Sequence, residues 1–416
     1  MPRPFIDRRR FATSLASLAT LATGHAAWAR AAGPAGPAGP VLAAGGALND
    51  DNDAFWGRLA ALAGGAGAQV AVIAAASGEP QRAAARVDER LRRHGVRGVA
   101  IEVAPMHGGA DAAMAAAHAP RWVDAVAASQ GVFFTGGAQA RLLDTLAPRG
   151  EPTPLLQALH ALHARGGLVA GSSSGAAVLS SVCFRDAPDL IGALRGTLRD
   201  GLEVDRGFGF LPPQLAVDQH FVARGRIGRL LPLMASRRVP LGLGVEEDSA
   251  ALLQAGTLQV LGRHGVLVAD LAEAQVEALA PLSLRGARLH WLRPGDRLAL
   301  ASRIATPAAG AGRPVDPLSG DHRAANPGPA FYPAMLDEGV IVRAMQRLVD
   351  GDRAELHGLS FLPPPGDGGP AFAWRLHRGP GTRGWVAADG GLGVADARLD
   401  LHPVRLAQPL ATPWSG

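Results

Sequence analysis

Short, almost unbroken apolar runs recur along the first two-thirds of the chain, separated by longer stretches in which Ala and Leu mix with Arg, Asp and Gln. The runs fall at 41–46, 69–75, 98–103, 131–135, 168–171, 214–218 and 240–245. Their lengths suit strands, and near-continuous hydrophobicity is what a strand buried on both faces requires. Between them, 53–63, 79–94, 111–128 and 155–165 predict Ala-rich amphipathic helices. Strands alternating with helices in this way predict an α/β fold, a mostly parallel sheet sandwiched by helices. Ligands of such sheets gather at the carboxyl ends of the strands.

Beyond residue 249 the pattern changes. Residues 250–254, 258–261 and 266–269 predict short strands with tight turns, expected as antiparallel additions at one end of the sheet. The Pro-, Gly- and Ala-rich stretch 306–330 reads as a linker. After it, Leu336, Val340, Ala344 and Leu348 recur every four residues and predict a helix. Phe372, Trp374 and Leu376 alternate with Ala373, Arg375 and His377, as in a half-buried strand, and Asp389-Gly390 signals a hairpin turn. The chain thus divides into a domain at 41–300 and a small C-terminal α+β accessory unit at 331–416.

The N-terminus reads differently. Asp7-Arg8-Arg9-Arg10-Phe11-Ala12-Thr13 leads into an apolar stretch to about residue 27, followed by Ala27-Trp28-Ala29 and Ala29-Arg30-Ala31. This is the pattern of a twin-arginine secretory signal over 1–31 with small-residue cleavage sites. The stretch is short and Ala-rich for a membrane span, so a periplasmic or extracellular protein without stable membrane association is expected. A Gly/Pro/Ala spacer follows at 32–40.

Composition narrows the picture further. The net charge of +5 suggests nucleic acid, but all 41 basic residues are arginine, without a long basic run or interleaved aromatics. Nucleic-acid binding is therefore not expected. Cys183 is the single cysteine, so no intramolecular disulfide forms, and it reads as a small buried apolar residue. His160 and His163 lie one helical turn apart without a third ligand and read as a solvated face. Asp50, Asp51 and Asp53 read as helix caps rather than a calcium loop. Neither a metal nor a cofactor is expected.

Two segments carry the candidate chemistry. In Gly171-Ser172-Ser173-Ser174-Gly175-Ala176 a serine follows an apolar run between glycines, as in a strand-to-helix turn that exposes a nucleophile. The amide of Ser174 is then placed to donate to a developing oxyanion, and the paired glycines of Phe134-Thr135-Gly136-Gly137-Ala138-Gln139 supply a second donor, Gly137. In Asp218-Gln219-His220-Phe221 the histidine is a candidate general base, and Arg224, Arg226 and Arg229 follow it as a candidate anion pocket. On a regular helix these arginines would point about 40°, 240° and 180° from His220, so Gly225 and Gly228 predict an irregular turn that lets them converge.

Taken together, these motifs resemble the cyanophycinases, within the dipeptidase E family of serine peptidases, over about residues 45–270. Gly45-Gly46-Ala47-Leu48 with Asp51-Asn52 is similar to the family's opening glycine turn. Residues 134–139 are similar to its Phe-Thr-Gly-Gly-Asp-Gln, 171–176 to its Gly-Thr-Ser-Ala-Gly-Ala, and 218–221 to its Asp-Gln-His-Phe. Gly244-Val245-Glu246-Glu247-Asp248-Ser249-Ala250 is similar to Gly-Ile-Asp-Glu-Asn-Thr-Ala. The chain departs from the pattern at Ala138 and Ser174. The resemblance implies a flavodoxin-like, class I glutamine-amidotransferase-like fold and a serine exopeptidase that hydrolyses cyanophycin to β-Asp-Arg dipeptides, which the N-terminal signal would make an exported enzyme. Ser173 is then the nucleophile and His220 the base, with Asp189, Asp186 or Glu247 as the third member. Gln139, Asp218, Gln219, Arg224, Arg226, Arg229 and Glu246 hold a substrate with Asp and Arg units, polymer or dipeptide. A homodimer is compatible with this reading.

Three rivals remain. One is an aspartyl or isoaspartyl dipeptidase of the same family. Another is an α/β-hydrolase esterase, suggested by His107-Gly108-Gly109-Ala110, although its histidine would come near the chain end. The third is a non-catalytic protein that binds acidic peptides.

Overall fold

The computed structural model describes residues 38–186, 189–362 and 369–406. The expected signal at 1–31 and most of the spacer lie outside them. The first half alternates strand and helix: β1 (Val41–Ala44), α1 (Asp53–Leu62), β2 (Gln69–Ile73), α2 (Pro80–Arg93), β3 (Arg97–Ile101), α3 (Ala110–Ala117), α4 (Pro120–Ala127), β4 (Gly131–Phe134), α5 (Gln139–Leu146), α6 (Pro154–Ala164), β5 (Leu168–Ser172) and α7 (Ser174–Ala177). The helix expected over 111–128 is two, because Pro120 cannot donate to the preceding turn and starts α4 instead. Next come β6 (Val182–Phe184), α8 (Leu190–Arg195), β7 (Val204–Arg206), β8 (Leu215–Gln219), α9 (Ile227–Arg237) and β9 (Leu241–Val245).

The remainder is mostly strand: β10 (Ser249–Gln254), β11 (Thr257–Gly262), β12 (Val266–Asp270), β13 (Gln275–Leu279), β14 (Leu282–Leu292), β15 (Arg297–Ala299), β16 (Ile304–Thr306), β17 (Pro314–Val315) and β18 (Phe331–Tyr332). Helix α10 (Val340–Asp350) precedes β19 (Glu355–Ser360), β20 (Ala371–Val386) and β21 (Leu392–Val404).

Two large sheets result. In the first, β1, β5, β4, β2 and β3 are parallel neighbours, and β10, β11, β15 and β16 extend it beyond β1 by antiparallel pairing. Its parallel strands are buried almost throughout, except the edge strand β3, which matches their apolar runs. The second has the order β18-β19-β20-β21-β14-β12-β9-β8. Strands β8 and β9 are parallel to each other, but β9 pairs with β12 and not with the first sheet. The expected antiparallel additions are thus shared out, with β10 and β11 on one sheet and β12 on the other.

The second sheet also crosses the division drawn at 306–330. Strand β14 pairs with β21, and the core formed by Leu267, Leu289 and Trp291 continues through Met345, Trp374 and Leu399. The C-terminal helix and strands therefore share one hydrophobic core with the segment carrying His220, where a separate unit was expected. No helix of the described residues is long and apolar enough to cross a membrane.

Candidate active site

The site lies where the two sheets meet. Strand β5 of the first sheet delivers Ser173, and β8 of the second delivers His220. Residues 246–248, between β9 and β10, bridge the sheets. Gly45 and Gly46, just after β1, join the parts. The Ser173 amide donates to the Ala44 carbonyl at 3.0 Å, the His220 amide to the Gly45 carbonyl at 2.9 Å, and the Asp248 amide to the Gly46 carbonyl at 2.8 Å.

Glycine is required at several of these points by contact. A Cβ on Gly46 would lie 2.4 Å from His220 Cε1 and 3.1 Å from Ser173 Cβ. On Gly171 it would meet the Gly175 carbonyl oxygen at 2.1 Å, and on Gly175 the Phe134 carbonyl oxygen at 2.2 Å. This packing lets the chain turn sharply after β5. Ser173 sits at φ 55°, ψ −121°, and His220 has φ 47°. Positive φ costs a residue with a side chain on the order of 1–3 kcal/mol, and here it falls on both candidate reactive residues.

The outcome is a hydrogen-bonded Ser–His–Glu chain, an arrangement that can move a proton. Ser173 Oγ is 2.8 Å from His220 Nε2, and His220 Nδ1 is 2.5 Å from Glu247 Oε1. A carboxylate at Nδ1 holds that proton in place and leaves Nε2 free to accept from the serine hydroxyl. Burial first, then the charges of Arg224 and Arg226, lower the His220 pKa from its usual value, while Glu247 pulls it up. The imidazole is consequently neutral at neutral pH, as a base must be.

Of the three carboxylates left open by the sequence, Glu247 is the one on His220. Asp189 caps α8, accepting from the amides of Ile191 and Gly192 at 3.3 and 2.6 Å. Asp186 is exposed on the wall of the cleft. The sequence choice of Asp189 is corrected accordingly: its carboxylate is taken up by two helix N–H groups.

A cleft of about 760 Å³ opens beside Ser173 and His220, with Gln139, Gln219, Arg224 and Arg226 on its wall. The three arginines do not act alike. Residues 221–226 form an irregular turn before α9, as Gly225 and Gly228 suggested. Arg224 is exposed in the cleft. Arg226 is buried, and its Nη1 donates to the backbone and side-chain oxygens of Gln219, both at 2.6 Å. Burial lowers its pKa to about 10, which still leaves it charged. Arg229 is buried beneath the site. Its Nε and Nη2 donate to Asp218 at 2.8 and 2.6 Å, and its guanidinium lies 4.2 Å from the centre of the Phe184 ring.

Asp218, Arg229 and Glu246, expected on the substrate, are thus satisfied inside the protein. Glu246 accepts from the amides of Val222 and Ala223 at 2.5 and 3.1 Å and so fixes the turn after His220. Burial raises its pKa. The expected oxyanion donors, Gly137 and Ser174, line the same cleft, and a Cβ on neighbouring Gly136 would lie 3.4 Å from Ser173 Oγ.

No family model matches the chain. Over 242 residues it is 34% identical to the cyanophycinase of Synechococcus elongatus, which covers 56% of this chain and 70% of that protein. The same figures hold for the cyanophycinase of Thermosynechococcus vestitus. The chain belongs to the cyanophycinase family. It is a serine-type peptidase. The cyanophycinase of Trichormus variabilis is 36% identical over 190 residues, 44% of this chain and 60% of its own length. A solved peptidase from an acI-B1 actinobacterium aligns at a TM-score of 0.44 and 21% identity, over 63% of this chain and 97% of its own.

Several side chains in and around the site have contacts to which the sequence assigned no role. Asp248 accepts from the Asn49 amide at 2.9 Å and from the Asn49 and Asn52 side chains at 2.6 and 2.7 Å, anchoring the loop after Gly46. Asn52, not the neighbouring aspartates, caps α1. Those aspartates instead pair with Arg90, Arg263 and His94. Arg185 reaches the cleft while paired to Asp144 and Asp205 at 2.7 and 3.0 Å. His160 and His163 do not form a solvated face. His160 stacks on Phe210 at 4.5 Å, and His163 Nε2 lies 2.8 Å from the Gly39 carbonyl. Cys183 is buried, which pushes its thiol pKa up and leaves it inert.

Proposed function

We propose that this chain is an exported peptidase that hydrolyses cyanophycin and releases β-Asp-Arg dipeptides through Ser173, His220 and Glu247. The observation that carries the proposal is the 2.8 Å contact between Ser173 Oγ and His220 Nε2, with both residues in strained backbone. In this reading His220 takes the serine proton as Oγ attacks a backbone carbonyl of the polymer, then gives it to the leaving amine. The amides of Ser174 and Gly137 receive the oxyanion. Water then hydrolyses the acyl-enzyme by the same path in reverse. Glu247 orients the imidazole and stabilises its charged form.

The substrate side also fits. Each repeating unit of the polymer carries carboxylate and guanidinium groups. Arg224, with Arg226 behind it, offers cationic donors to a carboxylate. Asp186 also lines the cleft, and Asp218 and Glu246 are taken up by Arg229 and by the amides of Val222 and Ala223. Incubation with cyanophycin, with products identified by mass spectrometry, should show β-Asp-Arg from the wild type and none from Ser173→Ala. Release of free Asp-X dipeptidase products alone would shift the assignment to an aspartyl dipeptidase. Export rests on the twin-arginine pattern at residues 7–13; fractionation of cells expressing the full chain, with Arg8→Ala/Arg9→Ala/Arg10→Ala held in the cytoplasm, tests it.

A further inference from the structure

The residue after the nucleophile carries a side chain whose contacts lead away from the reacting atoms. Ser174 is buried, and its hydroxyl donates to the Gly137 carbonyl at 2.5 Å and to Gln139 Oε1 at 2.9 Å. One proton shared between two acceptors is a three-centre bond. The Gly137 carbonyl belongs to a backbone that cannot move freely, because a Cβ at Gly137 would already meet the Ala76 carbonyl at 2.0 Å. That carbonyl fixes the hydroxyl, and the hydroxyl in turn fixes the oxygen end of the Gln139 amide. The preceding residue, Ala138, brings no side-chain polar group to the task.

An amide has a donor end and an acceptor end. With Oε1 drawn inward to Ser174, Nε2 is the end left for the cleft, and among the described residues it makes no hydrogen bond. We propose that Ser174 is a positioning residue: its hydroxyl locks Gln139 so that Nε2–H donates into the cleft, to a carboxylate or carbonyl oxygen of the bound substrate. Gln139 and Arg224, which both line the cleft, then present donors to it, which selects an oxygen-rich group over a cationic one.

The proposal rests on the serine-peptidase reading of the cleft but not on the identity of the polymer. The test is a double-mutant cycle of Ser174→Ala and Gln139→Ala. It is run with full-length mature protein on whichever substrate the wild type cleaves, cyanophycin or an Asp-X dipeptide. Loss of cyanophycin activity in the wild type would therefore overturn the substrate assignment alone. A neutral hydrogen bond is worth about 1 kcal/mol, or roughly fivefold. Ser174→Ala should raise KM by about fivefold, with the change on KM rather than kcat. Gln139→Ala should do the same, and the double variant should be no worse than Gln139→Ala. Ser174→Thr, which keeps the hydroxyl, should restore KM. Thermal unfolding of each variant separates loss of fold from loss of binding. Additive effects on KM, or a fall in kcat with KM unchanged, would show that Ser174 does not act through Gln139. A KM unmoved by Ser174→Ala would overturn the proposal outright.

Discussion

Gly46→Ala isolates the packing that brings the two sheets together at the reactive pair. The added Cβ would stand 2.4 Å from His220 Cε1 and 2.5 Å from Nε2. Carbon atoms settle at about 3.5–4.0 Å, so the imidazole has to retreat by roughly 1 Å. The Ser173–His220 separation of 2.8 Å then stretches beyond hydrogen-bond range. A misplacement of about 1 Å costs on the order of 100-fold in rate. The backbone also suffers, since Gly46 has φ +105° and alanine there costs about 1–2 kcal/mol. Gly64 supplies the control: its φ is +109°, and the nearest atom to an added Cβ is at 3.7 Å. Gly46→Ala should lose at least as much stability in urea unfolding as Gly64→Ala, because it adds a clash to the same backbone cost, and only Gly46→Ala should lose about 100-fold in kcat/KM. Activity of Gly46→Ala within threefold of Gly64→Ala would refute the placement of the imidazole.

Other consequences follow from the same geometry. Glu247→Gln should lower kcat by about 10³–10⁴-fold, by loss of the anion that stabilises the imidazolium. Because Glu247 raises the His220 pKa, the acid limb of kcat/KM in this variant should move to lower pH. Arg224→Ala should move the same limb the other way, since the arginine lowers that pKa, and should raise KM for a carboxylate-bearing substrate. Asp218→Asn leaves Arg229 buried without its carboxylate, and thermal and urea unfolding should show a loss of about 3–5 kcal/mol. Burial holds His290 at a pKa of about 4, against 6.5 in the unfolded chain. The unfolded chain thus gains its proton first as pH falls, so stability should drop by about 3 kcal/mol between pH 6.5 and 4. His290→Leu should flatten that slope in urea titrations.

The legible parts of this protein were those set by local pattern. Apolar runs such as 69–75 and 168–171 had to be buried strands, and glycines flanking Ser173 announced the turn that exposes it. Pairing between distant strands was not legible. Nothing in the run 240–245 says that β9 joins β12 and leaves the first sheet, because a buried parallel strand and a buried antiparallel one share the same composition. The choice among Asp186, Asp189 and Glu247 depended on that pairing. Glu247 reaches His220 because β9 runs beside β8 and then crosses to β10, a relation between chain segments and not a spacing. Likewise the three arginines looked equivalent in sequence. Only the buried position of Asp218 shows that Arg229 supports the floor of the site while Arg224 faces the cleft.

The account stands on a serine activated by its histidine neighbour, and labelling reads that directly. Mature protein treated with a fluorophosphonate at neutral pH, digested and mapped by mass spectrometry, should carry the adduct on Ser173. His220→Ala should abolish the label without loss of fold. An active enzyme that stays unlabelled at Ser173, or one that labels equally well without His220, would contradict the account.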